Sequence, residues 1–154
     1  MNPYLETIFC DDIRQEISGK RTLVGVYEHN LLVESFPVTL PKLCLVTRLV
    51  VPASTEFERI SFEVMKGDES ILLAEIPPEI VKNIKAKESI DVIEGLKGEK
   101  VYIYSSQVVF SPIKFEEAIP LKVKARLDDS ELKGVGLQIA TLPNVKKPSD
   151  DTTP

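Results

Sequence analysis

The sequence predicts an all-β fold, an antiparallel β-sandwich of about seven to nine strands with one short connecting helix. Three observations carry that expectation. Apolar residues recur at every second position along much of the chain, most regularly in Ile119-Pro120-Leu121-Lys122-Val123-Lys124-Ala125-Arg126-Leu127, where odd positions are apolar and most even ones cationic. That pattern is a strand with one face in a core and the other in water. The alternating segments are bounded by Gly, Pro, Asn or Asp, which turn the chain, and only one segment follows a helical period.

Taken in chain order, Leu5 to Ile13, Thr22 to Tyr27, Leu31 to Phe36 and Leu43 to Val51 are strands by their β-branched and aromatic content. Leu43 to Val51 is apolar apart from Thr47 and Arg48, as a central strand covered on both faces would be. Arg59 to Lys66 and Ile71 to Ile76 form a hairpin around Gly67-Asp68-Glu69. Pro77 to Lys87 is the helix, with prolines at its start, Glu79 in its first turn, lysines in its last and Ile80 four before Ile84. Between Glu88 and Lys100 a short strand at Ile90 to Ile93 is one option, with Gly95 and Gly98 marking turns. Val101 to Phe110, Ile119 to Leu127 and Val135 to Leu142 complete the set.

A chain of 154 residues can bury about 68% of its unfolded surface in one core, so neither disulfides nor metal are needed for folding. Residues 1–142 are expected to form a single domain. The tail from Pro143 to Pro154 has almost no apolar content and is expected to be disordered. Apolar runs are far shorter than a membrane span and the N-terminus lacks a signal-peptide pattern. A cytoplasmic protein without membrane contact is the expectation. The net charge of -5 repels a phosphate backbone, and no cationic run exceeds two residues, so nucleic acid is not an expected partner.

Chemistry concentrates in Ile8-Phe9-Cys10-Asp11-Asp12-Ile13-Arg14-Gln15-Glu16 and the following Gly19-Lys20. Strand alternation sends Asp11 and Asp12 to opposite faces, so the two cannot grip one ion without a bulge. One reading makes Asp11, Asp12 and Glu16 the centre of a carboxylate- or metal-dependent ligand-binding protein or enzyme. The other makes Asp11, Asp12, Arg14, Glu16, Lys20 and Arg48 a polar cluster that fixes a strand end and its turn through charge pairs. Further acids at Asp68, Glu69, Asp128 and Asp129 carry no sign of converging on the first two.

Other motifs are incomplete. A cysteine nucleophile needs a base, and the single histidine, His29, stands in the turn Glu28-His29-Asn30. Cys10 and Cys44 lack metal-ligand spacing and are expected as small buried hydrophobes in a reducing compartment. Gly134-Val135-Gly136 and Gly95 to Lys100 lack the rest of any phosphate-binding signature and are turns or bulges. No cofactor is implied, and no catalytic residue stands out. Tyr102 and Tyr104 share a strand face. Val101 to Phe110, apolar on both faces around Ser105-Ser106-Gln107, would invite a protein partner or homo-oligomer as an edge strand, and a central position explains it equally well.

One resemblance adds to this. Phe9-Cys10-Asp11-Asp12-Ile13-Arg14-Gln15-Glu16, Gly19-Lys20, Leu23-Val24-Gly25-Val26-Tyr27, Phe36-Pro37 and Leu40-Pro41-Lys42-Leu43-Cys44 together resemble a family of small uncharacterised bacterial proteins classed only as a domain of unknown function. The resemblance implies a bacterial or prophage-borne cytoplasmic protein and brings no activity, ligand or site residue. The strand pattern is also similar to immunoglobulin-like or C2-like sandwiches, an analogy of fold that carries no function. The expected role is a non-enzymatic interaction or assembly module.

Overall fold

The computed structural model describes residues 1–86, 92–94 and 98–143. The expected tail after residue 143 and most of the undecided stretch before Lys100 lie outside the described residues. The chain runs β1 (Tyr4–Gln15), β2 (Arg21–Tyr27), β3 (Asn30–Val33), β4 (Val38–Leu40), β5 (Leu43–Pro52), β6 (Ile60–Lys66), β7 (Glu69–Glu75) and α1 (Pro78–Ala86). It continues through β8 (Val92–Glu94), β9 (Lys100–Phe110), β10 (Ile113–Phe115), β11 (Ile119–Leu127), β12 (Ser130–Lys133) and β13 (Leu137–Thr141).

Two sheets face each other across one core, in an all-β sandwich-like fold. The first has the order β2-β1-β5-β9-β8; the second has β3-β13-β11-β6-β7 with β12 also on β11; β4 and β10 pair as a small ribbon. Thirteen strands are present among the described residues, more than alternation predicts, because β4, β8, β10 and β12 are too short to display a period. Among the described residues, pairing is antiparallel except between β3 and β13.

The core follows from the alternation. β11 places Leu121, Val123, Ala125 and Leu127 inward and Lys122 and Arg126 in solvent. β5 has nine of its ten residues buried, Arg48 being the exception, as a central strand requires. Leu43, Leu45 and Leu49 from β5 meet Phe62 and Val64 from β6 and Leu137 and Ile139 from β13. The helix closes part of this layer with Val81 and Ile84, while Ile80 stays exposed. Lys85 in its last turn donates to the Phe57 carbonyl and lies 4.5 Å over the Phe57 ring.

Gly134-Val135-Gly136 is a bulge, as the sequence suggests. β12 and β13 both lie against β11, but Ala125 faces Leu132 whereas Leu121 faces Leu137, so one extra residue separates the two registers. A Cβ on Gly136 would collide with the Leu121 carbonyl oxygen. The extruded Val135 carbonyl accepts the Thr7 hydroxyl from β1, tying the two sheets together.

Candidate functional site

The polar stretch at the end of β1 forms a corner. β1 pairs with β5 from Tyr4 to Cys10 and with β2 from Phe9 to Gln15. Ile8 and Gln107 both face Val46 across their strands, and Gln15 stands seven residues beyond Ile8, about 23 Å along a straight strand. Yet Gln15 Nε2 and Arg21 Nη1 lie 3.3 and 3.4 Å from Gln107 Oε1. The β1–β2 hairpin therefore turns across the outer side of the first sheet. Cys10 and Cys44, which point to that side, are consequently fully buried.

Each residue of the corner has a mechanical task. Gly25, at φ +67°, breaks the β1–β2 ladder opposite Asp11, and a Cβ there would stand 2.8 Å from Asp11 Cγ. Only glycine accepts both the dihedral and the contact without strain. The Asp11 carboxylate accepts the Tyr27 hydroxyl. Burial, followed by that carboxylate, pushes the Tyr27 phenol well above its ordinary range. Asp12 pairs with Lys42, just before β5, and more loosely with Arg14 at 3.8 Å. The Lys42 hydrogen bond holds the Asp12 carboxyl below the usual range and raises the Lys42 ammonium. Glu16 accepts the Thr22 hydroxyl at 2.7 Å and donates its backbone N–H to the Lys20 carbonyl at 2.9 Å, closing the hairpin turn.

The cluster expected from sequence thus divides. Asp12 and Arg14 meet, Glu16 and Lys20 meet in the turn, and Asp11 is held by Tyr27. Arg48 lies elsewhere, 3.3 Å from Glu6. Tyr27 and Lys42, absent from the expected cluster, hold the two aspartates apart. A glycine inside an alternating strand was the available signal for the first, since it marks a bend or a close approach; nothing local signals the second.

The thiols are directly opposite each other, Cys10 against Cys44, and free. Burial raises both, Cys10 to about 11, so they stay protonated at neutral pH and weakly nucleophilic. His29 is exposed in the β2–β3 turn, where its carbonyl accepts the Gln138 N–H. Asp128, at φ 52°, accepts the backbone N–H groups of Glu58 and Arg59, which lower its pKa. Asp68 lies 3.9 Å from Lys122. Among the described residues no group of three or more His, Cys, Asp or Glu side chains could hold a metal ion.

The far side of the same sheet is built differently. β9 pairs with β5 along its length, and among the described residues β8 pairs with it at Lys100 to Tyr102. Among the described residues, Ile103 to Phe110 have no partner strand on that side. Core-facing Tyr102, Tyr104, Val108 and Phe110 are only partly buried, whereas their β5 partners Val51, Leu49, Leu45 and Leu43 are fully so. Tyr104 stacks on Phe62 of the opposite sheet at 5.8 Å between centroids, so the strand is well seated. On the outer side Val109 is 48% exposed, and no charged residue occurs from Val101 to Phe110.

A family model described as Family of unknown function (DUF6941) matches residues 6–140. The chain belongs to this family. The match takes in nearly all of β1 and almost all of β13, so the DUF6941 region is the whole two-sheet body, corner and open edge included. Neither the curated proteins nor the solved structures give a match. Among the described residues no helix is long and apolar enough to cross a membrane.

Proposed function

We propose that this DUF6941 chain is a non-enzymatic interaction or assembly module of a bacterial or prophage-borne protein, working in the cytoplasm. The observation that carries the reading is the uncharged, half-buried β9, which past Tyr102 has no second partner strand among the described residues. Natural sheets protect such edges with charges, prolines, bulges or covering segments, and here charge and proline are missing over ten residues. An edge left this way suits a strand supplied by a protein partner.

The polar corner supports the same reading from the opposite direction. Asp11, Asp12 and Glu16 are each engaged by a neighbour that shapes the hairpin, and the thiols beside them are buried and protonated. A carboxylate- or metal-dependent activity centred there would have to dismantle the corner. Nucleic acid is disfavoured by the net charge of -5 and by the outer face of the second sheet, where Lys124 and Arg126 lie 3.4 and 3.3 Å from Glu131.

Sedimentation across concentration, combined with capture from a bacterial lysate on immobilised protein, tests the reading. Self-association, or capture abolished by lysine substitutions on β9, is expected. A strict monomer that retrieves nothing through that strand would overturn it.

A further inference from the structure

We infer that Cys10 and Cys44 form a reversible disulfide when hydrogen peroxide reaches them, and that the ion pair of Asp12 with Lys42 sets how readily it does. The inference goes beyond the assembly-module reading and does not rest on it. Three observations lead to it.

The first is register. Cys10 stands directly opposite Cys44 in the antiparallel β1–β5 ladder, and both are free and fully buried. Residues paired in this way have Cα atoms about 4.5 or 5.5 Å apart and side chains on one face. A disulfide takes Cα atoms about 4.4–6.8 Å apart, so the bond can close without moving either strand. The chain has two cysteines in all, and the fold sets them on one rung.

The second is position. That rung is the last of the β1–β5 ladder; beyond it β1 keeps β2 as its partner and turns away from β5. Each thiol donates to a carbonyl of the turning dipeptide, Cys10 to Asp12 at 3.5 Å and Cys44 to Asp11 at 3.7 Å. Thiols capped like this are uncovered by opening one end of a ladder, a far smaller disruption than unfolding the sheet.

The third is what holds that end shut. Asp12 is two residues past Cys10 and Lys42 two before Cys44, so their ion pair occupies the next rung on the same face. Burial raises both thiols, which keeps the closed corner inert and confines reaction to the opened one.

The chemistry balances with peroxide as oxidant. One thiolate attacks a peroxide oxygen, the O–O bond breaks, and the departing hydroxide takes up the thiol proton as water, leaving a sulfenic acid. The facing sulfur attacks the sulfenic sulfur, the S–O bond breaks, and the second thiol proton leaves with the hydroxyl as water. Two thiols lose two electrons, and one peroxide becomes two waters. The bond staples β1 to β5 at the root of the β1–β2 hairpin.

The reduced full chain, treated with millimolar hydrogen peroxide, quenched with iodoacetamide and weighed under denaturing conditions, is the test. The expected product is a single chain lighter by two hydrogen atoms, unalkylated at Cys10 and Cys44, restored by dithiothreitol, and melting at least about 4 °C higher than the reduced chain. Asp12→Asn and Lys42→Met should each speed closure about threefold by freeing the rung. A rate set by thiolate charge alone would move in opposite directions in the two, because the carboxylate disfavours the thiolates and the ammonium favours them. Opposite shifts, or none, overturn the role of the ion pair. Native thiols that survive peroxide while the urea-unfolded chain reacts overturn the disulfide, as do products that are sulfinic acids or chains linked to one another.

Discussion

The two sides of the first sheet solve the same problem in opposite ways. At β2 the chain bends at Gly25, crosses the outer face, and is fastened by Tyr27 to Asp11 and by Lys42 to Asp12. β9 has no charge, proline or glycine from Val101 to Phe110 and, among the described residues, no second partner strand past Tyr102. A kinked, fastened strand is a poor template for pairing, and an extended uncharged one is a good template. The difference teaches that the two sides are built by different means: one is shaped by a fastened polar hairpin, while the other relies on a long uncharged strand seated on the core.

Breaking the guarded side should have the largest effect. Gly25→Ala forces a side chain into the left-handed region and displaces the Asp11 carboxylate, at a combined cost of about 2–3 kcal/mol in urea unfolding. An unchanged midpoint would remove the bend from the account. The next effect contrasts the strand interior with the edge. Val51→Ala on β5 removes a buried valine and should cost about 2 kcal/mol, against about 1 kcal/mol for the partly buried Val108→Ala on β9. Equal costs would show that β9 is as fully covered as the centre of the sheet.

Tyr27→Phe keeps the ring and deletes the hydroxyl that Asp11 accepts, and should lower stability by about 1 kcal/mol without altering self-association. A change in sedimentation would show that the two sides are coupled. The smallest effect is acid dependence. Asp12 is held below its ordinary pKa by Lys42, and Asp128 by the Glu58 and Arg59 amides. Carboxyls depressed in the folded state stabilise it fully above the unfolded value of about 3.9 and lose that contribution as pH falls through the folded value. Unfolding midpoints followed from neutral pH to below 3 should therefore fall less steeply for Asp12→Asn and Asp128→Asn than for the wild type. Parallel curves would contradict this.

Much of the fold was legible because alternation is enforced by burial. β11, the β6–β7 hairpin, the central β5 and the helix are where their patterns place them. The Val135 to Leu142 segment began two residues late as a strand because Gly134-Val135-Gly136 is the bulge between β12 and β13. β4, β10 and β12 have no signal of their own since three or four residues cannot show a period, whereas the optional strand at Ile90 to Ile93 overlaps β8. At the corner, alternation correctly separated the side chains of Asp11 and Asp12, but their partners were decided by which strands lie side by side. Lys42 reaches Asp12 only because β5 pairs with β1, thirty residues away in sequence.

The parallel pairing of β3 with β13 has a consequence for the order of assembly. Asn30 lies beside Gln138, so the second sheet gains its outermost strand by joining segments more than a hundred residues apart. Contacts of such separation slow folding, because the loop entropy is spent before the contact forms. During synthesis β1, β2 and β5 can pair early, whereas β3 must wait unpaired until residue 141 has been made.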